Sequence, residues 1–219
     1  MYSIVNAYQK IISLIMPPFC AACHAFLAGQ QVLCASCAER IKPVIPVHVN
    51  ITKRYQMTVY AVAAYQDPLR KIIIAKRYSQ RTAAVQLATF MNNYLEEYNF
   101  ACDLFIPIPL HWTRYAWRGY NQAEIIAAYL AKNNNKPLVS CLSRIKRTPL
   151  QVSLSIDERE DNVKNVFSLS EHMKDQLKDK HIVLVDDVMT TGATLRAAAK
   201  VLAQARPASI SAIVAARVI

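Results

Sequence analysis

Glycine is nearly missing from this chain: three residues in 219, against ten prolines. So few glycines leave out the GxGxxG turn of dinucleotide-binding domains, the GxxxxGK(S/T) phosphate loop and flexible Gly-rich linkers. Acidic side chains are also scarce, 15 against 26 Lys and Arg, giving a net charge of +11. That balance favours an anionic partner: nucleic acid, a phosphorylated small molecule or an acidic membrane surface. Long apolar runs are lacking. None approaches the roughly 18–20 residues of a membrane helix, so the chain is not expected to be transmembrane. With 53% apolar and 19% charged residues, the composition is globular and excludes a disordered, collagen-like or low-complexity chain. The length suits one average domain plus a small module.

The positive charge is concentrated in the middle. Residues 51–150 carry 14 basic and 5 acidic side chains, whereas residues 151–219 carry nine of each. This distribution suggests a basic surface beside a site that needs carboxylates. Four of the six cysteines, Cys20, Cys23, Cys34 and Cys37, form two CxxC pairs separated by ten residues. Each CxxC turn can present two thiolates, and two turns complete a tetrahedral Zn²⁺ shell. Four cysteines leave no open coordination position, so the zinc would be structural. Unligated thiols, redox-active or inert, are the alternative, and His24 could replace one ligand. Gly29 falls where the connecting loop must turn. Cys102 and Cys141 lie in apolar runs and read as small core residues. Lys10 interrupts the N-terminal apolar stretch and no small-residue cleavage site follows it. A reduced, cytoplasmic protein is expected, with association at the inner membrane face only through partners.

Three segments follow. Residues 1–18 hold an amphipathic helix, with Ile4, Val5, Tyr8, Ile11, Ile12 and Ile15 on one face, stopped by Pro17 and Pro18. It either docks on its own domain or meets a partner or membrane surface. Residues 19–46 form the cysteine module. Residues 50–219 form an α/β domain in which strands at 57–65, 103–110, 137–145, 181–187 and 209–218 alternate with helices at 82–98, 121–132 and 194–205. Asp67-Pro68 opens a further helix, and Asn121 is a candidate N-cap with Glu124 three residues on. Residues 146–165 read as a long polar loop. This alternation predicts a mostly parallel sheet flanked by helices.

The strongest signal is IVLVDDVMTTGATL at 182–195. A buried type of strand ends in Asp186 and Asp187, then a loop of small and hydroxyl residues leads into a helix. Ligands of open α/β sheets bind beyond the carboxyl ends of the strands. Thr190, Thr191, Gly192, Ala193 and Thr194 suit a phosphate: small side chains let backbone N–H groups close on it, hydroxyls donate, and the helix dipole adds attraction. Two neighbouring carboxylates suit ribose hydroxyls and a hydrated Mg²⁺. A sugar phosphate satisfies both halves.

This stretch resembles, across its whole length, the phosphoribosyl pyrophosphate (PRPP) signature of type I phosphoribosyltransferases. The resemblance implies that Asp186 and Asp187 hold the ribose 2′- and 3′-hydroxyls as the catalytic-site acids. It implies too that residues 190–194 hold the 5′-phosphate of PRPP or a phosphoribosyl nucleotide. The four-Cys module, IPIPLHWTRYAWRGYNQAE at 106–124 and the RTPLQ…ERE.NV..VF pattern at 147–167 together resemble the ComF family over nearly all of residues 19–219. That family acts in natural transformation, the uptake of single-stranded DNA.

His111 to Gln122 (HWTRYAWRGYNQ) follows the Pro-rich strand end, and the resemblance to type I phosphoribosyltransferases implies that this position is their pyrophosphate loop. Arg114 and Arg118 are four apart and can share a helix face. Guanidinium forks suit phosphate oxygens. Interleaved Trp112, Tyr115, Trp117 and Tyr120, with Asn121, also suit single-stranded DNA, which needs charge for its backbone and flat rings for its bases. Core rings and a solvated arginine face are the alternative. Lys71, Lys76 and Arg77 either extend the basic surface or form a solvated helix face. The 146–165 loop falls where such enzymes close a mobile loop over substrate, with Arg147, Gln151 and Arg159 as polar candidates and Asp157, Glu158, Glu160 and Asp161 against them. A solvated connector is the other reading. No histidine stands in a recognisable triad. Positioning and stabilisation of leaving pyrophosphate need no base, so this excludes no enzyme. Three functions remain: a ComF-type protein handling imported single-stranded DNA, a phosphoribosyltransferase of nucleotide metabolism, and a non-catalytic adaptor for a DNA-import helicase or recombination protein.

Overall fold

A computed structural model describes residues 19–27, 31–74, 80–95, 98, 100–145 and 166–219. Its strands are β1 (Val47–Asn50), β2 (Gln56–Ala64), β3 (Leu104–Pro107), β4 (Leu142–Arg144), β5 (Phe167–Leu169), β6 (His181–Met189) and β7 (Ser209–Arg217). Five of them form one sheet in the order β1-β2-β7-β6-β3. β2, β7, β6 and β3 are parallel, and β1 runs antiparallel at one edge. The helices are α1 (Ala35–Ala38), α2 (Leu69–Ile74), α3 (Gln80–Leu95), α4 (Trp112–Arg118), α5 (Gln122–Asn133), α6 (Lys174–Leu177) and α7 (Ala193–Leu202). Among the described residues, no helix is long and apolar enough to cross a membrane. The mostly parallel sheet with helices on its faces is the α/β architecture expected from the alternation of strands and helices.

β6 and β7 are central because their sequences allow burial on both faces. Along β6, Ile182 and Leu184 join one apolar cluster while Val183 and Val185 join the other. The first cluster is closed by Leu195, Ala198 and Leu202 of α7 and by Leu142, Phe167 and Leu169 of the β4–β5 pair. The second is closed by Leu87 and Met91 of α3, Ile126 and Leu130 of α5, and Cys20, Leu27, Leu33 and Cys37 of the cysteine module. The module is therefore part of the cover on one face of the sheet. Cutting any of the large buried side chains to alanine should cost about 2–5 kcal/mol.

The expected strands at 57–65, 181–187 and 209–218 are β2, β6 and β7, and the helix at 121–132 is α5. The strand expected at 137–145 is divided. Leu138 makes an isolated parallel bridge to Phe105 at the sheet edge, and residues 142–144 leave the sheet to pair antiparallel with 167–169. Buried Cys141 and Leu142 turn inward there, toward the α7 side. β1 is only four residues long, but its VHVN sequence alternates apolar and polar and its register with β2 is regular. The expected helix at 1–18, Gly29 and the loop at 146–165 lie outside the described residues.

Candidate functional site

The carboxyl end of β6 gathers the strongest motif. β6 extends through Met189, two residues beyond the expected strand, so Asp186 and Asp187 lie on paired backbone. Ile108, just past β3, donates its N–H to Val185 O at 2.9 Å, and Val218 donates to Met189 O at 3.0 Å. The two carboxylates are thus held from both sides. Asp187 N–H also donates to Asp186 Oδ1 at 2.9 Å. Burial pushes the Asp186 carboxyl well above its ordinary value, and the charge of Asp187 adds to this, while Arg144 opposes it. Such a carboxyl is poised to ionise when a cation or hydroxyl donors arrive.

The turn after β6 is fixed by Gly192. It adopts φ +76°, a left-handed conformation that side-chain-bearing residues resist, and an added Cβ would lie 2.7 Å from Met189 Cε. Gly192 is also the N-cap of α7 and has no capping side chain. The Thr191 hydroxyl accepts from Ala193 N at 3.4 Å, and Thr190 and Thr191 are exposed. Leading N–H groups of a ten-residue helix, two exposed hydroxyls and two carboxylates therefore meet at one sheet end. Thr194 lies half-buried in the helix's first turn.

The HWTRYAWRGYNQ segment reaches the same end of the sheet. α4 starts from His111, a buried N-cap whose Nδ1 accepts from Thr113 N at 3.4 Å, and ends at Gly119, with φ +75°. Arg114 and Arg118 lie one turn apart in this helix, and their side chains fall outside the described residues. Trp112 and Tyr115 are exposed, 71% and 50%, and supply ring faces to solvent. Tyr120 and Asn121 are buried. Asn121 donates from Nδ2 to Ile108 O at 3.0 Å and accepts from Ala123 N at 3.2 Å. It is the expected N-cap of α5 and ties the α4–α5 corner to the end of β3. Lys71 is exposed and pairs with Asp67 at 3.3 Å. Lys76, Arg77, Arg147, Gln151 and Arg159 lie outside the described residues, but β4 and β5 pair on either side of residues 146–165.

Arg144, from β4, is the residue the sequence did not single out. Its charge acts on Asp186 and its guanidinium lies 5.5 Å from the Phe167 ring centroid. Only pairing of β4 with β5 brings it there, and no local motif marks it. Two histidines link neighbouring strands. His48 Nδ1 meets Thr58 Oγ1 at 3.1 Å across β1–β2, and His181 Nδ1 meets Ser209 Oγ at 2.9 Å across β6–β7.

The four module cysteines form one cluster. Their Sγ atoms all lie within 4.8 Å of one another, and those of Cys23 and Cys34 are 3.6 Å apart. Sulfurs around a tetrahedral zinc with bonds of about 2.3 Å are about 3.8 Å apart, so the set fits such an ion. A bridge between Phe19 and Phe26 and the bond from Cys20 N to Ala25 O shape the first knuckle. Cys34 caps α1, which carries Cys37. For Cys20, burial raises the thiol, but backbone N–H groups of Cys23, Cys34 and Ala22 prevail and bring it down to about 6. Burial and the neighbouring thiols push Cys37 up to about 12. Four thiols this close resist full ionisation unless a cation joins them. His24 is not part of the cluster. Cys102 and Cys141 stand apart in apolar surroundings, each raised to about 11 mainly by burial.

Residues 115–218 match the family profile described as "Phosphoribosyl transferase domain". The chain is 29% identical to competence protein F of Haemophilus influenzae over 207 residues, covering 84% of this chain and 90% of that protein. It is 28% identical to DNA utilization protein YhgH of Escherichia coli K12, covering 84% of this chain and 83% of the other. It is 27% identical to competence protein ComFC of Bacillus subtilis, covering 69% of this chain and 60% of the other.

Proposed function

We propose that the chain is a ComF-type protein that binds PRPP or a phosphoribosyl nucleotide at the carboxyl end of β6 while serving DNA uptake or utilization. The observation that carries the sugar-phosphate half is the meeting of Asp186 and Asp187 with the Gly192 turn and the start of α7. Asp186 and Asp187 would take the ribose hydroxyls and would hold Mg²⁺, which would offset pyrophosphate charge. Residues 190–194 would take the 5′-phosphate. Arg114, Arg118 and Arg144 would balance the remaining negative charge. Zinc in the Cys20–Cys23–Cys34–Cys37 cluster would hold the module against the α3–α5 face in a structural role.

Calorimetric titration with PRPP, with and without Mg²⁺, tests this reading. Mg²⁺-dependent binding that disappears in the Asp186→Asn, Asp187→Asn double variant supports it. Absent binding by the unaltered protein overturns it.

The DNA half is supported by the names of the relatives and by Trp112 and Tyr115, exposed on the helix that carries Arg114 and Arg118. On this reading the protein acts in the cytoplasm on single strands after import, alongside a helicase or recombination partner. Turnover of PRPP with a panel of nucleobases would assign the chain to nucleotide metabolism. PRPP binding without turnover or DNA affinity would make it an adaptor with a ligand-sensing site.

A further inference from the structure

The opposite end of the sheet carries a cleft of about 520 Å³. It is assembled from three loops that precede β2, β6 and β7. Arg54 and Tyr55 come from the first, Lys178 and Asp179 from the second, and Arg206 and Pro207 from the third. The lining therefore holds three cations and one carboxylate. Arg54, Lys178 and Arg206 are exposed, and among the described residues none of them forms an ion pair. Lys53 and Lys180, their neighbours in sequence, are exposed too.

The cleft is built, not incidental. Tyr55 is half-buried and donates its hydroxyl to Pro207 O at 3.1 Å, which fixes the ring. The Arg54 guanidinium lies 5.7 Å from that ring's centroid. Asp179 N–H donates to Arg206 O at 3.1 Å and Ala208 N–H to Lys180 O at 2.9 Å, tying two of the loops together. Arg206 sits at φ +54°, a left-handed conformation that Asn and Gly take at less cost. It caps the short 3₁₀ turn at Ala203–Ala205, and its backbone N–H donates to Ala203 O at 3.2 Å.

We propose that this cleft is a docking site for the backbone of single-stranded DNA, separate from the sugar-phosphate site. Unpaired cations around the cleft match a strand's need of charge for its phosphates, while Tyr55, packed against the core, anchors the loop that carries Arg54. Because the cations are exposed, not enclosed, a passing strand fits better than a small sequestered anion. The location at the strands' amino ends leaves the carboxyl end free, so both ligands can be held at once. This inference rests on the DNA half of the proposed function.

The test is fluorescence anisotropy with a labelled oligothymidylate over a range of salt concentrations. The variant is Arg54→Gln, Lys178→Gln, Arg206→Asn, in which asparagine tolerates the left-handed backbone. Its Kd should rise at least about tenfold. Its slope of log K against log salt should become shallower by about 2, because up to three phosphates are no longer neutralised. PRPP affinity should not change. Lys178→Glu alone, at an exposed position, should weaken binding several-fold and keeps the test open if the triple variant misfolds. Wild-type binding that the cleft variants match overturns the cleft and leaves the DNA reading standing. No binding by the wild type overturns both. Displacement of the strand by thymidine monophosphate at equal nucleotide concentration overturns the strand in favour of a small-anion site.

Discussion

The two ends of one sheet are built on opposite principles. At the carboxyl end, two carboxylates, two exposed hydroxyls and a glycine turn come from one continuous stretch after β6. At the amino end, a basic cleft is assembled from three loops far apart in the chain. The acids differ as well. Asp186 is raised by burial, whereas Asp103, beside the start of β6, is lowered, first by the N–H that His181 donates to its Oδ2 at 2.8 Å. A parallel sheet separates its ends by the length of its strands, so the sugar phosphate proposed for one end and the strand proposed for the amino-end cleft would draw on different cations.

The sharpest way to break this contrast is to remove something both ends share. The cysteine module covers the α3–α5 face through Cys20, Leu27, Leu33 and Cys37. Cys34→Ser with Cys37→Ser should release metal and remove several kcal/mol of stability, lowering the melting temperature by about 10 °C. Metal analysis of protein purified without chelator should give about one zinc per chain before the change and none after it. PRPP and DNA affinity should fall together. Loss at one end only would show that the module belongs to that end.

Next in size is the Asp186→Asn, Asp187→Asn pair. Losing charge-assisted bonds to two ribose hydroxyls should weaken PRPP by about 100-fold or more, with oligothymidylate binding unchanged in direct titration. Equal loss of both ligands would merge the two ends into one site. Unchanged PRPP affinity would move the sugar-phosphate site elsewhere.

The difference between the ends also explains what the sequence made legible. Asp186, Asp187 and Gly192 are close in the chain because the site is a strand end and the turn after it, so a local pattern carries it. The cysteine cluster is legible for the same reason, its ligands lying within one short segment. Arg144 and the Arg54–Lys178–Arg206 cleft depend on which strands become neighbours, and no window of sequence records that. Neighbouring Asp175 and Asp179 hid Lys178, and Arg206 is a lone cation in a stretch without any motif. Tyr120 and Asn121 show the converse. They sit in a motif suited to DNA, yet both are buried, and Asn121 uses its amide to cap α5 and anchor Ile108.

A smaller effect is expected at Gly192. Alanine there must hold φ +76°, at about 1–2 kcal/mol, while Met189 can shift its terminal methyl away at little cost. Gly192→Ala should lower the melting temperature by a few degrees and weaken PRPP several-fold by disturbing the start of α7. A calorimetric titration and a thermal melt measure both. DNA binding that changed in parallel would again join the two ends.

The subtlest test uses pH, because the two acids respond with opposite sign. Asp186 keeps its proton to higher pH in the folded chain than its ordinary 3.8. Between those two values the folded state binds the extra proton, so stability falls as pH rises through the window. Asp103 has a folded value below 3.8. Its contribution is complete above that ordinary value and is lost as pH falls through the folded one. Asp186→Asn should therefore raise the ligand-free melting temperature at neutral pH and flatten its decline from acid to neutral. Asp103→Asn should lower it at neutral pH and remove part of the acid-side loss. In the unaltered protein, Mg²⁺-PRPP binding should tighten as pH climbs through the raised value, since the proposed site uses the ionised Asp186. Melting curves of both variants from acid to neutral pH decide the matter, because a shift of the same sign at neutral pH would erase the electrostatic difference between the ends.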